Sequence, residues 1–280
     1  MAQGRLFTSF DLYSIVVRRK RKMPKIGDIE YPSLKGEVSE EEWSARVQLA
    51  ALCRLVPAMG WDDLSNQLVS CRIGKDFLFI PAGVLFEEMT ASCLLKVNME
   101  GEIISDSPFK IVPNVWHPMR AVFEVRPDAN TVIHTHDDYI AAVAATKHGL
   151  LPISQPAALV IAAGISYHTY EGAETYAERI PGMRRDLGSS NFSLLLRNHG
   201  VVTLAPTIDS AFMLHHLVRK ACRIQVMSGV NSGAEVTHIS ADVVASFPIE
   251  LLRASVGDGS NNAWPGLLRK LYREDPSFQS

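Results

Sequence analysis

The chain has 280 residues, of which 47% are hydrophobic and 21% charged, and its formal net charge is −2. This is an ordinary globular composition, and the length suffices for one large domain or two small ones. A charge this close to zero argues against the basic surfaces that bind nucleic acid or anionic membranes. Apolar runs fall short of the ~20 residues that a membrane span needs. We therefore expect neither a nucleic acid nor a membrane as partner.

The N-terminal part differs in composition from the rest. It contains five consecutive cations at 18–22, and we interpret residues 1–38 as a basic, disordered extension. The basic run leaves nuclear or mitochondrial targeting open. The four widely spaced cysteines form no C-x-x-C pair and favour buried thiols in a reducing compartment, so we expect a cytoplasmic protein.

The ordered domain is predicted to begin at Ser39, because Ser39 and Glu42 have capping-box spacing before a helical apolar pattern. Pro57 is expected to kink or stop this helix. The apolar segment 152–164 does not distinguish a strand from a loop. The other predicted elements are strands at 68–72, 77–80 and 94–99, a helix at 117–125, a strand from Thr131, helices at 138–147 and 173–187, strands at 193–197 and 201–204, and helices at 209–227 and 241–252.

This alternation of strands and helices predicts an α/β sandwich. We assign residues 39–232 to one domain. Residues 233–280 are interpreted as a C-terminal extension with one short helix, followed by a Gly/Ser/Asn-rich linker at 257–262.

Three histidines lie where predicted buried strands end. His134 and His136 are two residues apart on a strand, so their side chains share one face. His199 ends a second apolar run, and Gly200 after it lets the chain turn. Three neutral imidazoles with an open position make a catalytic metal site. This pattern predicts one divalent metal ion per subunit on His134, His136 and His199, and the alternative is that the His-x-His pair is incidental.

Several short motifs, taken together, resemble one family. They are found at 60–64, 83–92, 126–128, 132–136, 149–155, 167–172 and 195–200. The chain resembles the class II aldolase and adducin family, and within it the adducin-head-like branch. The resemblance implies a three-layer αβα sandwich around a central, mostly antiparallel sheet. It also implies a homotetramer with zinc or another divalent ion on the three histidines, near a subunit interface.

Two departures from the family pattern bear on the reaction. Counting back from Arg126, the glutamate that binds the metal or removes a proton in the sugar-phosphate aldolases is expected at Val115, which can do neither. The phosphate-binding elements map near Gln67-Leu68 and at Ala82, with a loss of amide and hydroxyl donors. We therefore expect a small, non-phosphorylated hydroxy or keto acid as substrate.

Other residues are candidates for the missing functions. Asp137 and Asp138 could replace the glutamate, although the commonest use of such residues is to cap the next helix. His117 is a third catalytic candidate, and a surface or core histidine is its ordinary alternative. The motif at 167–172, including His168, is expected to line the pocket or the interface. The candidates for substrate binding are Gln67, Gly83, Tyr167 and Tyr170.

The sequence thus predicts a metal-dependent lyase. Its metal, Zn²⁺ by expectation, would polarise the acid and stabilise an enolate for aldol cleavage, decarboxylation or epimerisation. Imidazole ligands also suit iron, so Fe²⁺ or Mn²⁺ is an alternative metal. With Fe²⁺ the same site could belong to a non-haem Fe(II) oxygenase or oxidative decarboxylase, which is the second hypothesis. The third hypothesis is a non-catalytic adducin-like scaffold with actin as partner. Adducins have typically lost metal-site histidines, whereas this chain has all three.

Overall fold

The computed structural model describes residues 24–111, 113–170, 172, 176–247 and 263–280. Within these ranges the strands are β1 (Lys25–Ile26), β2 (Ile29–Glu30), β3 (Leu68–Ile73), β4 (Asp76–Phe79), β5 (Leu95–Val97), β6 (Thr131–Thr135), β7 (Ile165–His168), β8 (Ser193–Leu196) and β9 (Gly200–Ala205). The α-helices are α1 (Glu40–Ala58), α2 (His117–Val125), α3 (Asp138–Ala144), α4 (Gln155–Ala163), α5 (Tyr176–Leu187), α6 (Ile208–Met227), α7 (Ala241–Ala245) and α8 (Ala263–Glu274).

A seven-stranded sheet in the order β5-β4-β3-β6-β9-β8-β7 forms the centre of the molecule. Its neighbouring strands are antiparallel except for the parallel pair β7 and β8. Helix α6 packs on β6, β9, α3 and α4, while α5 packs on β7, β8 and α2. This is the expected three-layer αβα sandwich with a mostly antiparallel sheet. Its topology makes β6, β7 and β8 run in the same direction, so their C-terminal ends share one edge.

The start of α1 confirms the predicted cap. The Ser39 hydroxyl accepts a hydrogen bond from the Glu42 amide at 3.1 Å. Pro57 does not stop the helix, which runs to Ala58, because a proline in the last turn removes only one intrahelical bond.

The undecided apolar segment contains helix α4. Its N-cap is Ser154, whose hydroxyl accepts from the Ala157 amide at 3.3 Å. Alanine favours a helix, but a segment apolar on all sides shows no helical period in its sequence. Gly164, at φ 98°, then turns the chain into β7, a strand that we had not predicted.

The N-terminal boundary stays a prediction, and residues 1–23 lie outside the described ranges. Within the segment assigned to the extension, β1 pairs with β2, and Tyr31 is buried in the core. The Tyr31 and Thr90 hydroxyls are 3.0 Å apart, at hydrogen-bond distance. Part of this segment therefore packs on the domain.

The C-terminal part differs from the expected single helix. Helix α7 ends at Ala245, and Ser246 and Phe247 after it are not helical, so the helix is shorter than predicted there. The predicted positions from 248 on and the linker lie in the undescribed range 248–262. Helix α8 was not predicted. Phe278, just beyond it, is buried, and its carbonyl accepts from the Ala91 amide at 2.9 Å. No helix in the described ranges has both the length and the apolar composition for a membrane span.

Candidate metal centre

Three imidazoles meet at the edge where β6 and β8 end. The distance between the Nε2 atoms of His134 and His136 is 3.0 Å, and that between the Nε2 atoms of His136 and His199 is 2.8 Å. His199 lies in the turn between β8 and β9, and the pairing of β9 with β6 brings this turn beside His136. The structure thus brings together the three histidines that the sequence predicted as ligands.

The turn that carries His199 needs two special positions. Asn198 has φ 58°, in the left-handed region that asparagine tolerates better than most residues. A Cβ atom on Gly200 would lie 2.2 Å from the Thr135 carbonyl oxygen. Gly200 therefore serves the close approach of β9 to β6, and Asn198 supplies the left-handed turn that we had attributed to the glycine.

Hydrogen bonds fix the orientation of two of the rings. His134 Nδ1 donates to the Val201 carbonyl at 2.9 Å, and His136 Nδ1 lies 3.1 Å from Asp63 Oδ2. With the protons on Nδ1, both Nε2 atoms present lone pairs to one another. Two lone pairs 3.0 Å apart repel unless a cation or a proton lies between them. This donor set therefore fits a divalent metal ion.

The electrostatic environment keeps the His134 and His199 rings neutral. Burial, and then the charges of His136 and His199, hold the pKa of His134 well below its usual range. Burial, followed by His136 and Arg179, lowers the pKa of His199 to about 4. Both imidazoles are therefore unprotonated near pH 7, the state in which imidazole binds metal.

A small cavity of about 130 Å³ opens onto the three rings. Its apolar wall is formed by Leu68, Val115, Pro118, Met183 and Leu196, and its polar lining by Ser65, Asn66, His168, Thr169, Tyr170, Arg179 and Arg197. None of the described residues that line it carries a carboxylate. Val115 thus contributes an apolar surface beside the three histidines. From the sequence, this is the position expected for the glutamate of the sugar-phosphate aldolases.

Two arginines line the cavity, and the charge of one of them, Arg179, acts on His199, one of the three histidines. The Arg197 guanidinium donates to the Ala144 carbonyl at 3.1 Å and lies 4.2 Å from the centre of the Tyr167 ring. Arg179 donates to the Gly172 carbonyl, and its charge contributes to the low pKa of His199. Cations in a partly buried cavity attract and hold anions.

His168 faces the same cavity from the end of β7. Its Nδ1 lies 2.7 Å from Asp186 Oδ2, and 7% of its side chain is exposed. Burial raises the pKa of Asp186, but hydrogen bonds from Arg185 and His168 outweigh it and hold this pKa below its usual value. An ionised carboxylate therefore orients the His168 ring.

The three catalytic candidates lie apart from the cavity wall. Asp137 caps α3 by accepting from the Tyr139 amide at 3.0 Å, and it also pairs with Arg219. Asp138 is exposed in the first turn of α3, and His117 is the half-buried first residue of α2. The geometry offers no support for a catalytic role of these residues. Asp137 instead has the alternative role of capping a helix.

Of the substrate-binding candidates, only Tyr170 is among the described residues that line the cavity. Gln67 is fully buried and holds its own loop, since it accepts from the Asp63 amide at 2.9 Å and donates to the Leu64 carbonyl at 2.6 Å. Gly83 occupies a turn at φ 73°.

Tyr167 also serves the structure of a neighbouring loop. Its hydroxyl accepts from the Leu150 amide at 2.9 Å, and on β7 its side chain points to the opposite face from His168.

Sequence reasoning missed several lining residues. Ser65 and Asn66 supply polar donors just before the mapped position at Gln67. A position-by-position comparison with the family could have shown that the polar residues lie one or two positions before Gln67. Arg179 carries no signal in the sequence, because its helix reaches the cavity only through the packing of α5 on β7.

Known proteins share this architecture. Residues 47–226 match the family model described as Class II Aldolase and Adducin N-terminal domain. A provisionally named aldolase class 2 protein of Pseudomonas aeruginosa is 40% identical over 251 residues, which are 88% of this chain and 96% of that protein. Human gamma-adducin is 41% identical over 194 residues, which are 67% of this chain but 27% of the adducin.

Solved structures extend the likeness to the fold. An aldolase II superfamily protein from Pseudomonas syringae has a TM-score of 0.82 at 32% identity, covering 88% of this chain and 99% of that chain. L-fuculose 1-phosphate aldolase from Glaciozyma antarctica has a TM-score of 0.70 at 18% identity, covering 92% of this chain and 97% of that chain. At this low identity the likeness shows a shared fold alone. By the family match and these relatives, this chain belongs to the class II aldolase and adducin family.

Proposed function

We propose that this chain is a divalent-metal-dependent enzyme of the lyase type that acts on a small, non-phosphorylated hydroxy or keto acid. The observation that carries the proposal is the convergence of three imidazole Nε2 atoms on a cavity lined by two arginines. His134, His136 and His199 would hold the ion, with Zn²⁺ as the proposed metal. A divalent cation there supplies Lewis acidity, which lowers the cost of negative charge on a substrate oxygen.

The cavity's own side chains support an acid as substrate. Arg179 contributes positive charge, and a carboxylate forms strong, often bidentate hydrogen bonds with a guanidinium. Met183 and Val115 add an apolar surface to the cavity, which excludes water and accommodates an apolar substituent. The volume of about 130 Å³ favours a small molecule.

A second candidate function is a non-haem Fe(II) oxygenase or oxidative decarboxylase at the same site. The all-imidazole donor set, with no carboxylate among the described lining residues, favours it, because such a set accepts iron as well as zinc. The two functions differ in one observable, the consumption of oxygen.

The non-catalytic hypothesis rests on the likeness to the adducins, and it would make actin the partner. The chain matches 27% of gamma-adducin, so most of the adducin has no counterpart in this comparison. A cluster of three imidazoles, one buried and two half-buried, is costly to keep without a ligand, because the rings lose contact with water while their Nε2 lone pairs face one another. We therefore favour the enzyme.

Elemental analysis of the purified protein tests the proposal. We expect about one divalent ion per subunit, and its loss from a His134→Ala/His199→Ala double variant. His238→Ala is the matched control, because His238 is exposed and outside the cluster. Full metal occupancy in the double variant would show that the ligand assignment is wrong.

A substrate screen then separates the candidate reactions. The loaded protein is incubated with hydroxy and keto acids, with and without a phosphate group, while product formation and oxygen are monitored. Cleavage without oxygen uptake supports the lyase, and stoichiometric oxygen uptake with Fe²⁺ supports the oxygenase. A metal-free protein that binds actin filaments would support the scaffold.

A further inference from the structure

We infer that Gln67 is a positioning residue of the candidate metal centre, which holds the Asp63 carboxylate against the His136 ring. The inference rests on the proposed function, because it takes a divalent ion on the three histidines as given. It replaces the substrate contact that the sequence suggested for Gln67 with a role that reaches the ion only through two other side chains.

Asp63 is the link between Gln67 and the histidines. Its Oδ2 lies 3.1 Å from His136 Nδ1, and such a carboxylate fixes the tautomer and the orientation of a metal-binding imidazole. Yet 45% of the Asp63 side chain is exposed, so packing does not hold it in place. Asp63 lies in the loop 59–67 between α1 and β3. The direction of its carboxylate therefore depends on the backbone of this loop.

The loop reverses at Leu64 in a conformation that leucine rarely adopts. The φ of Leu64 is 52°, in the left-handed region, where a Cβ atom crowds the backbone. Across this turn the Asn66 amide donates to the Asp63 carbonyl at 2.9 Å, and Asn66 Nδ2 donates to Asp63 Oδ2 at 3.2 Å. The reversal thus brings a second donor to the carboxylate oxygen that orients His136.

The strain at Leu64 is not offset by burial of its side chain, because the residue is 73% exposed. In the part of the chain that the structure describes, Leu64 and Asn198 are the two non-glycine residues with positive φ. Asn198 directly precedes His199, so both residues lie in loops that carry a group of the candidate metal centre. Strained backbone persists only where surrounding contacts hold it. Other contacts must therefore hold the turn at Leu64.

Gln67 supplies two such contacts from the core. It is fully buried, its Oε1 accepts from the Asp63 amide at 2.9 Å, and its Nε2 donates to the Leu64 carbonyl at 2.6 Å. One side-chain amide thereby holds the backbone at both Asp63 and Leu64. Because both ends of this amide are engaged, it is not available to a substrate. Its contacts instead fix the direction from which Asp63 meets His136.

The chain contains a matched case of the same arrangement. Gln225 is also fully buried, accepts from the Leu151 amide at 2.8 Å and donates to the Gly149 carbonyl at 2.9 Å. None of these three residues is among the described residues that line the metal cavity. Gln225 therefore provides a control with the same burial and the same two backbone bonds, but away from the histidines.

Zn²⁺ affinity of the full-length chain tests the inference, measured by competition with a coloured chelator. Methionine has the length of glutamine without its amide, so Gln67→Met and Gln225→Met each remove two backbone contacts. We expect Gln67→Met to weaken Zn²⁺ binding ~10-fold, the lower end of the range for lost outer partners of metal ligands. Gln225→Met should bind Zn²⁺ like the unmodified chain, although both variants lose stability.

Two outcomes of this measurement separate the inference from the proposed function. If Gln67→Met binds Zn²⁺ as tightly as the unmodified chain, the inference is wrong while the proposed function stands. If the unmodified chain binds no Zn²⁺, the proposed metal-dependent function fails, and the inference fails with it.

A double-mutant cycle tests whether Gln67 acts through Asp63. In the Asp63→Asn background, Gln67→Met should weaken Zn²⁺ binding by no more than ~2-fold further, because residues that act through one contact are not additive. A general loss of structure would instead weaken binding by the same factor in both backgrounds. Losses that multiply in this way would overturn the inference.

A pair of surface variants tests the turn without touching the core, and it serves even if Gln67→Met does not fold. Leu64→Val places a β-branched residue where positive φ is a severe outlier, whereas Leu64→Gly adopts this φ freely. We expect Leu64→Val to weaken Zn²⁺ binding by a factor similar to that of Asp63→Asn, and Leu64→Gly to retain it. Equal affinities of the two variants would show that the turn does not position Asp63, and the inference would be wrong.

Discussion

His136 and Asp63 are joined by a contact of 3.1 Å between Nδ1 and Oδ2. Asp63 lies in the loop before β3, whereas His136 follows β6, so the contact connects two distant parts of the chain. The hydrogen bond from His136, and then that from Asn66, holds the pKa of Asp63 below its usual value. A carboxylate in this place orients the ring and raises the basicity of its other nitrogen.

We predict that Asp63→Asn weakens metal binding without unfolding the protein. Loss of such a carboxylate partner typically costs ~10–100-fold in metal affinity. The measurement is a competition titration with a coloured chelator. Asp62→Asn, at the exposed neighbouring position, is the control and should bind metal normally. Equal affinities for the two variants would remove Asp63 from the metal centre.

We predict that the unmodified chain does not cleave fuculose 1-phosphate or related sugar phosphates efficiently. Val115 lines the cavity and cannot accept a proton, and a general base typically contributes ~10²–10⁴ in rate. Val115→Glu alone should not create good turnover, because the carboxylate would enter an apolar wall beside Met183 and Pro118. Assays of product formation by the unmodified chain and by Val115→Glu test this prediction. Efficient cleavage by the unmodified chain would show that it is an ordinary sugar-phosphate aldolase.

A third prediction concerns pH and His215, which is fully buried between two threonines. Its Nε2 lies 3.0 Å from Thr135 Oγ1, and its Nδ1 lies 3.0 Å from Thr203 Oγ1. Burial, then the charges of Arg219 and His216, lowers its pKa from 6.5 to about 3. Below pH 6.5 the unfolded state therefore binds a proton that the folded state does not. The contribution of His215 to the free energy of unfolding is therefore fully present above pH 6.5 and is lost progressively as the pH falls towards 3.

His215 alone should therefore lower the free energy of unfolding by ~2 kcal/mol between pH 8 and pH 5. His215→Asn should lower stability at pH 8 but lose ~2 kcal/mol less on the way to pH 5. Urea unfolding of both chains at the two pH values measures this, and contributions of the other histidines cancel in the difference. A parallel fall in both chains would show that His215 does not control the acid response.

The last prediction is a homotetramer in solution. It follows from the family resemblance and from the alanine-rich segment 156–164, which now proves to be most of helix α4, with Ile161 and Ala162 half-buried. Light scattering at micromolar concentration should give about four times the subunit mass of 30.9 kDa. A species of one subunit mass would refute the prediction.

Local patterns predicted most of the elements that build the sheet. Helix α2 was predicted with its observed bounds, and the Ser39 cap of α1 was predicted from its spacing to Glu42. Helix α4 and strand β7 were not, because an apolar segment without period does not distinguish helix from strand. The burial of Tyr31 and Phe278 was also missed, since the contacts of terminal segments depend on distant residues.

The sequence by itself determined the three histidines of the candidate metal centre, because strand alternation and strand-end position are local properties that His134, His136 and His199 display. It also determined the family, through motifs of several residues each. Only the tertiary structure decided which other side chains share their cavity. His168 and Arg179 reach it through the parallel pairing of β7 with β8 and the packing of α5, while Asp137 turns away to cap α3. Such a choice depends on contacts between residues far apart in the chain, which no local pattern contains.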